Sequence, residues 1–420
     1  MELREPYDYV DEGTITTPAG FKAGGMHAGF RKEPGRLDMA LVEADDVCSA
    51  AGVFTTNIFC AAPVTLCREH LHGQGHGLAR AIVVNSGIAN AATGEVGMRN
   101  AQRSAQVVSE AVGCSEQDVL VASTGIIGQH LNIEPFERCA SQMHASLSSD
   151  PQGGHDFARA IMTTDTVPKE CAVSYVSKAP GMEGCEIKVG GCCKGAGMIM
   201  PNMATMIGVI TTDAALEGPA AHAALRAAVN VSFNKLTVDS DTSTNDSVFM
   251  LASGAAMKDL PTIRQGSEAF FELSAAVEQV CVNLARRMAQ DGEGATRLVT
   301  VNVSGAANDE QADLAARAIA NSPLVKTAIA GHDANWGRIA AAAGRSGATF
   351  KQEDVDIDIM GMPVLRGGLP VEFDEDEALR RFEQPEVVID VGLGAGPAST
   401  TMWTCDFTHD YISINGDYRS

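Results

Sequence analysis

Along the chain, short β-branched runs alternate with longer stretches whose apolar residues recur at three- and four-residue steps. The runs Ala81–Asn85 (AIVVN), Asp118–Ala122 (DVLVA), Met206–Thr211, Leu298–Val303 (LVTVNV) and Val387–Val391 (VVIDV) are predicted strands, because they are rich in Val and Ile and flanked by Gly or Asn. The helical spacing is clearest over Asn100–Val112, Pro219–Val229, Glu268–Gln290 and Asp309–Asn321. In the last of these, Asp309, Glu310 and Asp313 put acid at the first turn, where the helix dipole favours it. Strands and helices interleave over the whole length, which predicts an α/β or α+β fold. No internal repeat or low-complexity tract interrupts them. The softest segments are Ser177–Gly184 (SKAPGMEG) and the acidic Asp374–Gln384, read as a solvated loop or helix face.

Composition narrows the picture. The 420 residues suffice for one large or two ordinary domains, and 45% hydrophobic with 20% charged residues is ordinary for a globular protein. A formal charge of −22 argues against a nucleic-acid partner, which needs a basic footprint. Eleven scattered cysteines without a C-x-x-C suit reduced thiols in a cytosol, not a disulfide framework. The polar start MELREPYDYVDEG is no signal peptide, and no apolar run reaches the roughly 18 residues of a membrane span. A cytoplasmic protein is expected.

The chemistry concentrates at mid-chain, in the Lys194–Ala214 stretch KGAGMIMPNMATMIGVITTDA, where small flexible residues give way to a β-rich run with Thr205 at the change. Two readings follow. One is a threonine that simply lies in a strand. The other is chain cleavage between Ala204 and Thr205, which sets a free α-amine beside the Thr205 hydroxyl. That amine, with an unperturbed pKa of roughly 7.7–8, can act as the base a hydroxyl nucleophile needs. The break can be self-made, by attack of Thr205 Oγ on the Ala204 carbonyl.

Other blocks decide between them. GVFTTN at Gly52–Asn57, AAPV at Ala61–Val64, VNSG at Val84–Gly87, STGIIG at Ser123–Gly128, MTTDT at Met162–Thr166, DTSTND at Asp241–Asp246, DGEGAT at Asp291–Thr296, NWGRI at Asn335–Ile339 and the tail CDFTHDY occur in order. Together with the central stretch they resemble the ornithine acetyltransferase family, the glutamate N-acetyltransferases of arginine biosynthesis. The resemblance implies a two-lobed, self-processing fold of the N-terminal-nucleophile type. It implies cleavage at Ala204–Thr205 into an α fragment, 1–204, and a β fragment, 205–420, which form one catalytic unit. The reaction implied is ping-pong: N-acetylornithine acetylates Thr205, ornithine leaves, and glutamate takes the acetyl group.

By the same resemblance Thr124 and Gly125 match the oxyanion-hole pair. Thr163, Lys194, Glu293, Asn415 and Ser420 match substrate-binding residues, with Lys194 suited to an α-carboxylate and Glu293 to an ammonium. No cofactor and no metal are implied, although acetyl-CoA is a possible second acetyl donor. A heterotetramer of two α and two β chains is the expected assembly. The chain departs from the pattern at Ile88, where Asn is more usual, at Ser240 in place of Gly, and in the extra Ser177–Gly184 loop.

Two rivals remain. A related self-processing amidohydrolase or aminopeptidase shares the nucleophile but passes the acyl group to water. A non-catalytic or nucleotide-binding protein is suggested by VVIDVGLGAG, but Gly392, Gly394 and Gly396 have the wrong spacing and Pro397 follows, so a tight turn is expected. His70, His72 and His76 are close enough in sequence for a metal, yet no carboxylate or thiol completes the set, and a polar loop or helix end is expected.

Overall fold

The protein is described here from a computed structural model, which covers residues 7–200 and 206–417. Ala204, Thr205 and Ser420, three of the residues singled out above, lie outside these described residues.

The strands of the first lobe are β1 (Asp8–Tyr9), β2 (Phe21–Met26), β3 (Met39–Phe54), β4 (His76–Ile88), β5 (Val119–Ile126), β6 (Lys169–Val176), β7 (Glu186–Lys194), β8 (Ile207–Thr212) and β9 (Ser247–Ala252). They form one nine-stranded sheet in the order β1-β6-β7-β8-β9-β3-β4-β5, with β2 paired to β3. β3 is long, and its pairing with β4 slips between Glu43 and Cys48. An irregularity of this kind bends a strand and increases its twist. The sheet folds over on itself there. Ile82 and Val84 of β4 and Leu120 and Ala122 of β5 share one core with Ile207 and Val209 of β8 and with Phe249 and Leu251 of β9.

Side chains alternate across a strand, so the neighbours of these residues face outward to helices. Ala81, Val83, Val119 and Val121 pack against α2 (Gly94–Val112) and α3 (Glu134–Ala145). Ile210, Val248 and Met250 pack against α5 (Gly218–Val231) and α6 (Glu268–Gln290). The lobe is therefore layered helix, sheet, sheet, helix. The helix α1 (Ala62–His70) runs beside β5, and α4 (Pro151–Ala160) adds Phe157 and Ala158 to the inner core.

The second lobe has β10 (Leu298–Ala306), β11 (Asp356–Ile359), β12 (Met362–Arg366), β13 (Leu369–Pro370), β14 (Glu386–Gly392) and β15 (Ala398–Cys405), in the order β13-β12-β11-β14-β10-β15. Helices α7 (Asp309–Ala320), α8 (Pro323–Ala330) and α9 (Trp336–Gly344) bury one face of it, and α10 (Glu375–Arg381) adds Ala378 to that core. Leu298, Trp403 and Cys405 belong to the core of α6 and join the lobes. The helix α11 (His409–Asp417) ends the described chain.

The predicted strands and helices all occur, with longer bounds in most cases. β4 extends the expected 81–85 run at both ends, and α2 begins six residues before Asn100. Asp118 instead closes a short helical turn capped by Ser115, and the central strand starts at Ile207 instead of Met206. Ser177–Gly184 is not a loose loop. It caps the β6–β7 hairpin, buries Ala179 and Met182, and bonds Ser177 Oγ to Glu272 at 2.7 Å. The acidic 374–384 stretch is mostly α10, where Glu377 holds Arg380 and Arg381. The glycine run after β14 is a turn, and the amides of Ala395 and Gly396 donate to the Gly305 carbonyl, which leaves them unavailable to a phosphate. His70 ends α1 with Nδ1 2.9 Å from the Val119 carbonyl oxygen, whereas His76 begins β4.

The boundary between the two lobes falls near residues 291–297, between α6 and β10, whereas the 204/205 bond lies between β7 and β8. Those two strands are antiparallel neighbours with Lys194 opposite Ile207. Both segments flanking that bond therefore belong to one sheet.

Phe249 is fully buried between the sheet halves, edge-on to Phe54 with ring centroids 5.8 Å apart. Phe249→Ala leaves a cavity that neither half collapses to fill, and should cost about 3–5 kcal/mol. Urea unfolding is the measure, expected to show a lower midpoint with an unchanged slope.

Candidate active site

The site is built where several strand ends meet: the C-terminal ends of β4, β5 and β7 and the N-terminal ends of β8 and β9. Thr124 and Gly125 lie in the last turn of β5, paired in parallel with Ser86 and Gly87 of β4. Gly125 has φ +131°, and a Cβ there would stand 2.2 Å from the Gly87 carbonyl carbon, so the two strands approach too closely for any side chain. Ser123 Oγ donates to Asn85 Oδ1 at 2.6 Å, and Asn85 Nδ2 donates to the Ile88 carbonyl at 3.0 Å. At Ile88 it is therefore the backbone, which any residue supplies, that takes this bond.

Asn245 ties this strand end to the other half of the sheet. Its Nδ2 donates to the carbonyls of Ala89 and Ser123 at 2.6 and 2.8 Å. Next to it, Asp246 Oδ1 accepts the Met206 N–H at 2.7 Å. Two consecutive residues thus fix the segment bearing Thr124 and the residue that follows Thr205.

Lys194, at the end of β7, is buried and sits 3.9 Å from Asp165 Oδ2. Asp165, itself buried, also receives Lys169 Nζ at 2.7 Å, the Gly195 N–H at 2.6 Å and the Thr163 N–H at 2.9 Å. Lys169 reaches on to Asp291 at 2.5 Å, and Thr166 donates to the same carboxylate. Burial by itself would raise the Asp165 carboxyl. The Lys194 and Lys169 cations, with the Lys169 and Gly195 hydrogen bonds, outweigh burial and hold it well below the usual carboxylate range. For Lys194 burial is the largest influence, and it leaves the ammonium below its ordinary value despite the pull of Asp165.

Glu293 follows two residues after Asp291 and is buried at its edge, its N–H donating to the Ala196 carbonyl at 2.9 Å. Its carboxylate lies over Gly197, where a Cβ would come within 2.4 Å of Oε2. Asn415 of α11 donates to Glu293 Oε2 at 2.8 Å. The close packing of α11 on Gly294 and the 2.7 Å bond from Thr408 to the Gly294 carbonyl hold the tail there. Thr163 and Lys194 share Asp165, Lys194 and Glu293 flank Gly195–Gly197, and Asn415 joins Glu293. Thr124 and Gly125 enter from the opposite half through Asn245.

Residues that carried no role in the sequence reading complete the site. Arg31 donates to the Met162 carbonyl at 3.1 Å and packs over Gly87, and its charge is felt at Lys194. Arg36 donates to the Thr163 carbonyl. The Asp38 carboxylate, which accepts from Ala28, Gly29 and Arg31 amides, shapes the loop that delivers Arg31. Asp165, Asp291, Asn245 and Asp246 all lie inside blocks quoted above, but burial, which gives them their weight, has no signature in one sequence. Among the described residues there is no group of three His, Cys, Asp or Glu placed to hold a metal, and no helix long and apolar enough to cross a membrane.

A fixed cation and a fixed carboxylate on either side of a glycine loop, beside a strand end bearing a hydroxyl, suit a transferase of small charged substrates. Comparison with known proteins gives the class as an acyltransferase. The ArgJ family model matches residues 22–420. The arginine biosynthesis bifunctional protein ArgJ of Dehalococcoides mccartyi is 47% identical over 419 residues, 100% of both chains. That of Nitratidesulfovibrio vulgaris is 45% identical, covering 96% of this chain and 99% of its own. The chain belongs to the ArgJ family. Among solved structures, ArgJ from Bacillus halodurans is 43% identical and covers 50% of this chain and 97% of its own, at a TM-score of 0.48. An ornithine acetyltransferase from Mycobacterium tuberculosis, complexed with ornithine, is 35% identical and covers 46% and 98%, at a TM-score of 0.41. Family membership disfavours both the hydrolase and the nucleotide-binding readings.

Asp165→Asn removes the carboxylate between two buried ammonium groups and should destabilise the fold by about 3–5 kcal/mol. The sign with pH is fixed by the depressed Asp165 pKa. Its contribution is complete above the unfolded value of roughly 3.9 and is lost as pH falls toward the folded value. In urea unfolding the gap between wild type and variant should be constant from neutral pH to about pH 5 and narrow below pH 4.

Proposed function

We propose that the protein is a glutamate N-acetyltransferase that moves an acetyl group from N-acetylornithine to glutamate through an acetyl-Thr205 intermediate. The observation that carries this is the convergence of Lys194, Thr163, Glu293 and Asn415 around the Gly195–Gly197 turn. That turn leads into the 201–205 segment, and β8 begins just beyond it.

In the proposed sequence Ala204–Thr205 is cut by Thr205 Oγ, and water hydrolyses the resulting ester. The mature α-amine then takes the Oγ proton as Oγ bonds to the acetyl carbonyl of N-acetylornithine. Thr124 and Gly125 donate to the oxyanion, a type of interaction whose loss costs roughly 10²–10³ in rate elsewhere. Collapse breaks the C–N bond, the proton passes to the departing nitrogen, and ornithine leaves. Glutamate's α-amine attacks the acetyl ester, its proton returns through the Thr205 amine to Oγ, and N-acetylglutamate is released.

Lys194 suits the α-carboxylate that both substrates carry, and Glu293, with Asn415 and Ser420, suits an ammonium. Acetyl-CoA is proposed as a second donor, because the relatives matched over their full length are bifunctional proteins by name. The enzyme is proposed to act in the cytoplasm as a heterotetramer of the two fragments. Since β7 and β8 pair across the cut, the fragments stay together without a covalent link.

Denaturing electrophoresis should give two bands near half of 43.9 kDa. Thr205→Ala should give one full-length band and lose transfer altogether; full activity in that variant would overturn the nucleophile. Thr205→Ser should keep some cleavage. Lys194→Ala should raise KM for both amino-acid substrates. Release of acetyl groups from N-acetylornithine that needs glutamate separates a transferase from a hydrolase.

A further inference from the structure

At the edge of the larger sheet a cleft opens away from the residues of the acyl-transfer site. β1 pairs with β6 only through Asp8 and Tyr9. Once the Val10 N–H has donated to the Ala172 carbonyl, the chain turns aside, and the Gly13 N–H bonds back to the Val10 carbonyl. Gly13 packs so tightly in this turn that a Cβ there would stand 2.5 Å from Ala172 Cβ. The start of β6 is left with β7 as its one strand neighbour, and a cleft of about 410 Å³ lies beside it. Residues 9–13 line it, with His155 of α4, Glu170 of β6, and Asn283 and Arg287 of α6. Its size is that of a small-molecule site.

Neighbouring side chains on a strand point to opposite faces, so Lys169 serves Asp165 and Asp291 while Glu170 turns the other way. The Glu170 side chain is only 10% exposed, and its Oε2 pairs with His155 Nδ1 at 2.9 Å. Oε1 is buried and has no hydrogen-bond partner among the described residues, and the same holds for Asn283 Oδ1. Buried polar atoms are nearly always paired, so both call for an explanation. Each is an acceptor, and what each lacks is a donor. Burial raises the Glu170 carboxyl above its usual range, and His155, Arg159 and Arg287 pull it down without offsetting that. The exposed Asp11 and Glu12 add negative charge to the same cleft. A cation that also donates hydrogen bonds answers all of these demands.

We propose that this cleft is a ligand site separate from the acyl-transfer site. It takes a small organic molecule whose primary ammonium head donates to Glu170 Oε1, while a further donor of the same molecule meets Asn283 Oδ1. An alkylammonium brings the charge that the buried carboxylate lacks, together with three N–H bonds to place. A metal ion is the poorer match, because no group of three His, Cys, Asp or Glu is placed to hold one among the described residues. The Arg287 guanidinium on the same cleft has the geometry to receive a carboxylate. The ammonium can therefore belong to a diamine or to an amino acid.

Isothermal titration calorimetry of the purified protein tests this with cadaverine and L-lysine, which share the ammonium head and differ by a carboxylate. The Glu293→Gln variant is the host, so that the ammonium partner proposed for the acyl-transfer site is absent. At least one probe should bind saturably, with a Kd of roughly a few millimolar or lower. Adding Glu170→Gln should weaken that binding about tenfold or more, as expected for a lost hydrogen bond to a charged group. Asn283→Ala should weaken it about two- to tenfold. A preference for lysine that Arg287→Ala removes identifies the ligand class as an amino acid, and equal binding of the two probes identifies a diamine. Should Glu170→Gln not fold, Asn283→Ala carries the test, since alanine is well suited to the middle of a helix. The site is overturned if neither probe binds saturably, or if neither Glu170→Gln nor Asn283→Ala weakens the binding.

Discussion

The site depends on a carboxylate buried away from water. Asp165 has no accessible surface at its side chain, and it is tolerable there only because Lys169, Lys194 and two backbone amides surround it. Burying an ion costs several kcal/mol even after relaxation, so every partner must be in place. Each partner comes from a different segment: the start of β6, the end of β7, the glycine turn after it and the loop after α4. Asp291 extends the same constraint to the segment after α6, and two residues later the chain delivers Glu293. Lys194 and Glu293, the charged pair of the proposed site, are therefore held in place by Asp165, Lys169 and Asp291.

A second constraint is the folded sheet. Its two halves are held by apolar packing, Phe249 and Leu251 against Val84 and Leu120, but packing alone does not set the register of their ends. Asn245 does so, through two bonds to the strand ends opposite, while Asp246 holds the start of β8. Cutting the chain between β7 and β8 would disturb neither, because the two strands are paired in one sheet and share its helices. A protein that breaks its own backbone at the active site needs a scaffold of this kind.

The amphipathic helices α2, α5 and α7 were legible because each turns an apolar face to the core, and α6 because its apolar positions, packed on both lobes, keep the helical spacing over its whole length. Strands buried on both faces were harder to read. β7 (EIKVGGCCK) and the start of β3 carry small and apolar residues without alternation, because both sides of the sheet are covered. Gly191 is required there by α6, since a Cβ would lie 2.6 Å from Val280, and no local rule predicts that.

The sequence by itself determined the element types, the reduced cysteines, the family blocks and the hydroxyl, lysine and acid of the proposed site, because local spacing and residue chemistry are written along the chain. Only the tertiary structure decided where the two lobes divide, near residues 291–297 between α6 and β10. It alone showed that the Ser177–Gly184 loop is packed and that Asp165, Asn245 and Asp246 matter. The reason is burial. Whether a carboxylate is solvated, paired or left with an empty oxygen depends on residues tens to more than a hundred positions away, and desolvation turns that difference into energy.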